Sequence, residues 1–384
     1  MPRKVCAVVT ARPSYSRIKT ALSAIHQLPD LQLQLVVGGS ALLDRFGETV
    51  TQIVGDGFAV DGRASFTIEG SSPTVAAKTA GLGMVELSGI FDALSPDIVL
   101  VIADRYEVLS AAAAAAYMNI PLAHVQGGEV TGSIDEKVRH AVTKLSNAHF
   151  VANERAAERV RRMGEDPAVV YVTGCPSIDL ARDIQRETGL DFDPYEVYGG
   201  VGARPDLRSG YIVGMQHPVT TEHRSAREQI TATLEAARRT GFPVLWFWPN
   251  IDTGADETSK GIRIFRENQE LPQFHFFKSM SPEDFLRLLC NSLALVGNSS
   301  AGIREGSFLG VPTVNIGTRQ NGRERGPNVL DVGHVEDEIY RALKHQMDSG
   351  RYASVSIYGD GKAGGRIARN LSEMPLAIEK RLTY

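Results

Sequence analysis

Cysteine is scarce in this sequence, and long basic runs are missing. Its 384 residues include three cysteines, which lie far apart and form no CxxC pair. Cys6 and Cys290 stand in apolar runs, as reduced core residues do, so we expect a cytoplasmic enzyme and not a secreted one. The 41 basic and 45 acidic residues nearly balance and form no long basic block, which argues against a nucleic-acid partner.

Several motifs are missing as well. The first residues begin a strand-like segment without a signal-peptide pattern, and no uninterrupted apolar run reaches membrane-spanning length. We therefore expect no membrane partner. No GxGxxG follows the first strand, no HxH or HExxH supplies metal-ligand spacing, and no GxSxG elbow occurs. We accordingly expect neither a metal ion nor a nicotinamide cofactor.

Alternating strand-like and helix-like segments run through both halves of the chain. Up to residue 174 they predict a doubly wound parallel α/β sheet. A stretch rich in glycine, proline and charge, 189–210, interrupts the pattern, which restarts directly after it. We predict an α/β fold with two Rossmann-like domains, 1–178 and 179–362, facing a cleft that the carboxyl ends of both sheets line.

The segment GGEVTGSIDEKVRH, residues 127–140, brings carboxylates to the end of a strand. It follows the apolar run 121–125 and leads into a predicted helix. Chemistry in open α/β sheets collects at the carboxyl ends of strands. Paired carboxylates there suit proton transfer on two faces of one carbon. We therefore predict a catalytic role for Glu129 or Asp135.

Structural roles are the alternatives within this segment. Ser133 and Glu136 have the spacing of a capping box, which assigns Glu136 to the start of the helix. Asp135 could complement the helix dipole and pair with Arg139 four residues later. His140 has apolar neighbours, and we interpret it as a packing residue or as a support for nearby site residues.

Asp104 and His217 also stand at strand ends. Asp104 is the last residue of the apolar strand 97–104. From the residue alone, a helix N-cap and a catalytic acid or base are equally reasonable roles for it. Its place beside the 127–140 segment in the predicted sheet favours catalysis. His217, stiffened by Pro218, could donate to a phosphate, shuttle a proton or be an ordinary loop histidine.

Two segments suit phosphate binding. Arg12 and Arg17 lie at the start of the first helix, where guanidinium groups and free amides both attract anions. Exposed surface arginines are the alternative. In the second half, a strand gives way to the small residues of 297–302 and then to a predicted helix, 300–309.

This second segment has several candidate contacts. Ser299 and Ser300 can cap the helix, Gly302 allows an anion to approach the free amides, and Glu305 could bind a ribose hydroxyl. An ordinary serine-capped helix is the alternative. The loop 317–329 follows at another strand end and carries Arg319, Arg323 and Arg325.

Taken together, these motifs resemble the UDP-N-acetylglucosamine 2-epimerase family, and its hydrolysing branch most closely. That branch opens sialic-acid-type biosynthesis in bacteria and includes the epimerase half of the bifunctional animal enzyme. The resemblance covers nearly the whole chain. It rests on ARPSYSR, the AD-R-Y-E strand end at 103–107, HVQGGEVTGSIDEKVRHAVTKLS, VTGCPSID, QHPVTTE, GNSSAGIREGSFLGVPTVNIGTRQNGRERGPNVL and DGKAGGRIA.

The resemblance implies a two-domain fold of the glycosyltransferase-B type. In that fold a C-terminal helix, here 363–384 with a kink expected at Pro375, returns to the first domain. The resemblance further implies a UDP-sugar substrate that is processed without a cofactor, and a homodimer or homotetramer.

It also implies a role for each site residue. Asp104, Glu129 and Asp135 would be acid/base groups, and His217 would contact the diphosphate and the departing oxygen. Non-hydrolysing relatives carry a glutamate at the position of Gln126 and lack the GGE acid, so this pair of positions supports the hydrolysing branch. The implied substrate-binding set is Arg12, Arg17, Ser299, Ser300, Gly302, Glu305 and Arg319.

The implied reaction converts UDP-GlcNAc and water to N-acetylmannosamine and UDP through 2-acetamidoglucal. One alternative keeps the reaction but changes the substrate to UDP-2,4-diacetamido-2,4,6-trideoxyhexose or GDP-GlcNAc, on the way to legionaminic-type acids. We expect loops 55–75 and 250–262 to determine which sugar is bound. A glycosyltransferase of the same architecture is a second alternative, although it leaves the carboxylates of 127–136 unexplained. A non-catalytic nucleotide-sugar binder is the third.

Overall fold

The computed structural model describes residues 1–70, 72–185, 189–250 and 252–383. Two α/β units follow each other along the chain, and each is built on a seven-stranded sheet. The first unit comprises, in order, β1 Arg3–Val9, α1 Arg12–Gln27, β2 Leu31–Gly38, α2 Thr49–Gly55, β3 Gly62–Ala64, α3 Pro73–Leu94, β4 Ile98–Ile102, α4 Tyr106–Tyr117, β5 Leu122–Val125, α5 Asp135–Leu145, β6 Ala148–Val151, α6 Glu154–Arg162, β7 Val170–Val172 and α7 Pro176–Gln185.

The strands of the first sheet run parallel in the order β3-β2-β1-β4-β5-β6-β7. The central strand β4 is buried along its whole length, because helices cover both faces of the sheet. The alanines of α4 lie within this cover and allow it to pack closely on α3 and the sheet. The predicted doubly wound parallel sheet is confirmed.

The second unit repeats this architecture. Its strands lie in the order β14-β13-β12-β9-β10-β11-β8, and β8 pairs antiparallel with β11 at one edge while the other strands run parallel. The prediction of two Rossmann-like units is therefore confirmed. The elements are α8 Pro194–Tyr198, β8 Val201–Gly202, β9 Ile212–Met215, α9 Ala226–Arg239, β10 Val244–Phe247, α10 Ala255–Glu267, β11 Phe274–Phe277, α11 Pro282–Cys290, β12 Ala294–Gly297, α12 Ser300–Ile303, α13 Glu305–Leu309, β13 Thr313–Ile316, β14 Val329–Val332, α14 Glu336–Ser349 and α15 Ala363–Glu373.

The chain passes between the two units at two adjacent points. The Cys175 amide, on the outward crossing, donates to the carbonyl oxygen of Tyr358, on the return, at 2.7 Å. Helix α7 follows the first crossing and packs against α1 of the first unit and α11 of the second. The boundary expected at residue 178 thus falls inside a helix that both units share. None of the helices in the described parts of the chain is long and apolar enough to cross a membrane.

The C-terminal segment differs from its prediction. Helix α15 ends at Glu373, and Met374 is extended (ψ 145°), because a proline disfavours helical backbone in the residue before it. The predicted helix through residue 384 with a kink at Pro375 is therefore wrong. Residues 375–383 contain neither helix nor strand, and Tyr384 lies outside the described residues. Helix α15 itself packs against α1 of the first unit.

A buried charge cluster attaches the last residues to the first unit. The carboxylate of Glu165 is 2% exposed and contacts Lys144 Nζ at 2.6 Å, His149 Nε2 at 3.0 Å and Lys380 Nζ at 2.6 Å. Lys380 also donates to the carbonyl oxygen of Thr143 at 3.0 Å. Burial alone would raise the pKa of Glu165, but hydrogen bonds from His149 and the two lysines lower it to about 2.

We expect Glu165→Gln to lower the free energy of unfolding by about 2 kcal/mol near neutral pH, since the partly exposed Lys144 and Lys380 and the buried His149 lose their shared charged partner. The folded-state pKa is depressed from 4.5 to about 2. The stabilisation is therefore complete above pH 4.5 and disappears as the pH falls towards 2. Urea denaturation near neutral pH and in acid measures this difference. Glu158→Gln, at an exposed ion pair with Arg162, is the matched control. Equal stabilities of both variants near neutral pH would contradict the prediction.

Candidate active site

The carboxyl ends of the two sheets face each other across a cleft. It contains about 1040 Å³ of space, counting its open mouth, which is the size of a small-molecule site. All predicted site residues line this cleft except Glu129 and Gly302. Sequence reasoning therefore located the cleft, and the structure separates these two residues from it.

Asp104 enters the cleft from the end of β4. The preceding residue, Ala103, has a left-handed φ of 67°, which costs a non-glycine residue about 1 kcal/mol or more. Its amide donates to the carbonyl oxygen of Val125 at 3.0 Å, and its own carbonyl oxygen lies 2.8 Å from His124 Nε2. This turn directs Asp104 into the cleft, where its carboxylate forms an ion pair with Arg139.

Asp135 faces the same cleft from the first turn of α5. Burial raises its pKa, against the influence of Arg319, and the nearby Asp252 raises it further. The alternative pairing of Asp135 with Arg139 is not formed. Arg139 pairs instead with Asp104, and its Nη1 lies 3.4 Å from Glu136 Oε2. Asp104 and Asp135 therefore share a cleft but have different electrostatic surroundings.

The predicted capping box is wrong in its bonding. Ser133 Oγ accepts from the amide of Asp135 at 3.3 Å, not from that of Glu136. The Glu136 carboxylate accepts from the amide of Thr131 at 2.6 Å and contacts His140 Nε2 at 2.9 Å. Glu136 thus has a structural role, as expected, but it braces the loop before α5.

Glu129 lies behind the cleft wall. Its side chain is 0% exposed, forms an ion pair with Arg304 and lies 3.5 Å from Arg323 Nη1. Burial alone would raise the pKa of Glu129, but the charges of Arg304 and Arg323 lower it. The neighbouring Gln126 is also buried, and its amide nitrogen donates to Cys175 Sγ at 2.9 Å. The carboxylate of Glu129 is therefore held ionised inside the protein, outside the cleft lining.

His217 provides a neutral donor at the end of β9. Burial lowers its pKa to about 3, and the charge of Arg319 acts in the same direction. Its Nδ1 accepts from the amide of Asn250 at 3.2 Å, so the ring proton sits on Nε2. Asn298 holds the backbone of His217 through bonds of 2.7 and 2.8 Å.

Two arginines of α1 reach across the cleft. Arg12 donates to the carbonyl oxygen of Lys278 at 2.9 Å and to Asn250 Oδ1 at 3.2 Å, and Arg17 donates to Ser300 Oγ at 2.8 Å. Burial lowers the pKa of Arg12 to about 10. Burial and other guanidinium groups lower that of Arg17 to about 9. Both cations bind uncharged oxygens, so an anion in the cleft would stabilise their charge.

Ser299, Ser300 and Glu305 line the opposite wall. Ser299 is the N-cap of α12, and its Oγ accepts from the amide of Ala301 at 3.3 Å. The hydroxyl of Ser300 meets Arg17 of the other unit. This wall therefore presents hydroxyl groups and a carboxylate to the cations of α1.

The predicted helix 300–309 is wrong as a single element. It breaks at Arg304 into the short helices α12 and α13, so a long helix dipole does not act on the cleft. Gly302 packs inward, since a Cβ there would lie 2.5 Å from Thr313 Cγ2. This glycine is needed for close packing of α12 on β13, and it is not a contact for a ligand in the cleft.

Sequence reasoning missed three charged or amide side chains of the lining, Arg105, Asn250 and Asp252. Arg105 is held by Glu107 at 3.0 Å and donates to Asp252 Oδ1 of the other unit at 2.8 Å. Burial would raise the pKa of Asp252, but Arg105 and Arg319 lower it. Asn250 and Asp252 directly follow β10, so the strand-end rule that selected Asp104 could have found them.

Of the two loops expected to select the sugar, 250–262 lines the cleft through Asn250 and Asp252. No described residue of 55–75 lines it, and residues 71 and 251 lie outside the described residues. The larger apolar side chains of the lining come from α7 and the second unit: Leu180, Met215, Phe247, Met280, Phe285 and Leu286. The cleft therefore combines charged and apolar lining.

Two doubly wound units that face one cleft define the glycosyltransferase-B fold class. Comparison with known proteins narrows this class to a family. The family model described as UDP-N-acetylglucosamine 2-epimerase matches residues 23–372. The chain belongs to the UDP-N-acetylglucosamine 2-epimerase family.

Individual relatives cover almost the whole chain. A UDP-N,N'-diacetylbacillosamine 2-epimerase (hydrolyzing) of Legionella pneumophila is 33% identical over 98% of this chain and 97% of its own length. A UDP-N-acetylglucosamine 2-epimerase of Neisseria meningitidis is 29% identical over 94% of this chain and 91% of its own. A crystal structure of UDP-GlcNAc 2-epimerase from Neisseria meningitidis bound to UDP-GlcNAc matches the fold with a TM-score of 0.78 at 18% identity, covering 96% of this chain and 99% of that one.

The closed cleft depends on a close contact at Gly132. Its amide donates to the carbonyl oxygen of Arg319 at 3.1 Å, and a Cβ there would lie 1.9 Å from the carbonyl oxygen of Thr318. We expect Gly132→Ala to separate the units, at a cost of about 1–3 kcal/mol. Small-angle scattering should show a larger radius of gyration. Gly81→Ala, on an open helix face, is the control, and equal radii for the two variants would contradict the expectation.

Proposed function

We propose that this protein is a hydrolysing UDP-N-acetylglucosamine 2-epimerase, which converts UDP-GlcNAc and water to N-acetylmannosamine and UDP. One observation carries the proposal. Two carboxyl groups of the first unit, Asp104 and Asp135, meet a hydroxyl-lined wall and two arginines with uncharged partners in a single cleft. The chemistry on the sugar requires the carboxyl groups, and the diphosphate requires the cations and donors.

The C2 hydrogen of the sugar is not next to a carbonyl group, so a free carbanion there would be very unstable. Cleavage of the C1–O bond to UDP, together with removal of the C2 proton, avoids this intermediate and gives 2-acetamidoglucal. Arg12, Arg17 and the serine pair would stabilise the negative charge that develops on UDP. The neutral His217 would donate its Nε2–H to the departing phosphate oxygen.

The second half of the reaction restores a sugar. Water adds its hydroxyl group to C1, and an acid returns a proton to the opposite face of C2, giving N-acetylmannosamine. The remaining proton of the water restores that acid, and the base releases the proton it took from C2 to the solvent. Asp104, which is ion-paired with Arg139, suits the base that removes the first proton. Asp135, whose pKa is raised, suits the acid that returns a proton, because an acid must hold its proton near neutral pH.

The proposed reaction can be followed directly in deuterated water with purified protein and UDP-GlcNAc. Free N-acetylmannosamine deuterated at C2, with one UDP released per sugar, is the expected result. Recovery of UDP-N-acetylmannosamine as the sole epimerised product would contradict the hydrolysing reaction. An absence of epimerisation with release of UDP and GlcNAc would contradict the epimerase reaction itself.

Removal of the reacting groups should lower turnover without unfolding the chain. We expect Asp104→Asn, Asp135→Asn and His217→Ala each to reduce kcat by at least about a hundredfold, because the two aspartates carry protons at C2 and His217 donates to the departing oxygen. Steady-state assays of UDP release measure this loss. Glu267→Gln, on the exposed face of α10, is the control. Near-normal rates in all three variants would remove the proposed site.

The pH profile should depend on Asp252. Its negative charge raises the pKa of Asp135, so Asp252→Asn lowers that pKa. If Asp135 is the acid, activity is lost as pH rises through its pKa, and the alkaline limb of kcat/KM moves to lower pH in the variant. An alkaline limb that stays in place, or moves to higher pH, would contradict this assignment.

A second substrate is favoured by one comparison. The Legionella relative, at 33% identity, is named for UDP-N,N'-diacetylbacillosamine, whereas the Neisseria relative named for UDP-N-acetylglucosamine is 29% identical. The same cleft chemistry would act on a 2,4-diacetamido-2,4,6-trideoxy sugar, because C1, C2 and the diphosphate are common to both. Comparison of kcat/KM for the two UDP-sugars and a GDP-linked one decides between them.

A further inference from the structure

Arg304 crosses from the second unit into the first. It occupies the break between α12 and α13 and is 1% exposed, and its guanidinium group forms an ion pair with the fully buried Glu129. Its guanidinium carbon also lies 5.6 Å from the ring centre of Tyr358, on the returning crossing of the chain. The charge of Glu129 is thus neutralised from the other unit, and the Arg304 contact exists when the two units are closed on each other.

This ion pair connects to the carboxyl groups of the cleft. The carbonyl oxygen of Glu129 accepts from Arg139 Nη1 at 2.8 Å, and the same guanidinium group is ion-paired with Asp104. Arg304, Glu129, Arg139 and Asp104 therefore form one continuous series of buried contacts. The series starts in the second unit and ends at a lining residue of the first.

The loop between Glu129 and Asp135 is held by the second unit at further points. The Gly132 amide donates to the carbonyl oxygen of Arg319 at 3.1 Å. Arg159 donates to the carbonyl oxygen of Gly128 at 3.1 Å and forms a salt bridge with Glu324 of the second unit. Asp135, at the end of this loop, is consequently positioned by contacts that both units supply.

The pair is not arranged for maximum stability. In the part of the chain that the structure describes, Glu129 Oε1 and Arg304 Nε and Nη1 are buried without a hydrogen-bond partner. A buried ion pair with unsatisfied groups is usually no more stable than packed apolar side chains. Such an arrangement fits a role in geometry better than a role in stability.

We propose that Arg304 is a positioning residue, which acts through Glu129 to place Asp135 and Asp104 when the two units close. In this role Glu129 holds the loop and does not contact the sugar. The inference rests on the proposed function, since it assigns the placed carboxyl groups to proton transfer.

The test is a double-mutant cycle on the complete protein. A misplacement of about 1 Å can cost about a hundredfold in rate. We therefore expect Arg304→Met and Glu129→Gln each to lower kcat by about a hundredfold, with KM changed by no more than about twofold. The double variant should lose about a hundredfold as well, because both changes remove the same interaction. Arg304→Lys should recover part of the rate, and Arg239→Met, at an exposed ion pair, should leave it unchanged.

Two readouts separate positioning from a merely structural effect. Calorimetric titration with UDP gives the fraction of intact sites, and kcat is expressed per intact site. The pH profile of each variant should keep both limbs, since the titrating groups remain. Near-normal kcat in Arg304→Met, losses that multiply in the double variant, or loss of a limb in Glu129→Gln would each overturn the inference.

A measurement independent of turnover keeps the inference distinct from the proposed function. Hydrogen exchange of the amides in 128–134, with UDP present, should be at least about tenfold faster in Arg304→Met than in the unaltered chain. Unchanged exchange would overturn the positioning role even in an active enzyme. An unaltered chain that turns over none of the UDP-sugars would refute the proposed function, while the exchange result would still decide whether Arg304 holds the loop.

Discussion

The structure depends on a cluster of buried arginines between its two units. Arg139, Arg304 and Arg323 are nearly fully buried there, and Arg17 reaches the same region from α1. Burial and the neighbouring guanidinium groups lower the pKa of Arg17 to about 9. Such crowding is unfavourable unless anions neutralise it. Glu129 and Asp104 supply anions from within the protein, and in the proposed function a diphosphate in the cleft would supply a further one.

This constraint explains why the site is divided between the two units. The first unit contributes Asp104 at the end of β4 and Asp135 in the first turn of α5, and the second contributes His217, Ser299 and Ser300 after its own strands. Asp104 and Asp135 of the first unit meet His217 and the serine pair of the second only across the cleft. In the proposed function, closure of the units would bring together the chemistry on the sugar and the charge stabilisation on the leaving group.

Much of this arrangement could be predicted from sequence, because it follows from local patterns. Apolar runs of strand length alternate with helical periodicity, which predicts both doubly wound sheets. The strand-end rule then selects Asp104, Asp135 and His217. The end of α15 before Pro375 was within reach of the same reasoning, since the effect of proline on the preceding residue is local.

Other features depend on contacts between distant parts of the chain and could not be read locally. Glu129 has the same motif context as Asp135, but Arg304, from the other unit, fixes it outside the cleft. The ion pair of Arg105 with Asp252 likewise joins the two units. The break of the predicted 300–309 helix at Arg304 also depends on a distant contact, since Arg304 has to turn towards Glu129 of the other unit.

In the proposed function, one closed cleft would hold the diphosphate between the arginines of α1 and the serine pair of the second unit, with the sugar against Asp104 and Asp135. The most direct measurement is a crystal structure of Asp135→Asn with bound UDP-GlcNAc. We predict that the diphosphate contacts Arg12, Arg17 and the Ser299–Ser300 pair. We also predict that C2 of the sugar lies within about 3–3.5 Å of a side-chain oxygen of Asp104, or of the asparagine at position 135. A sugar placed against Glu129, or a diphosphate bound away from the two arginines, would contradict the account.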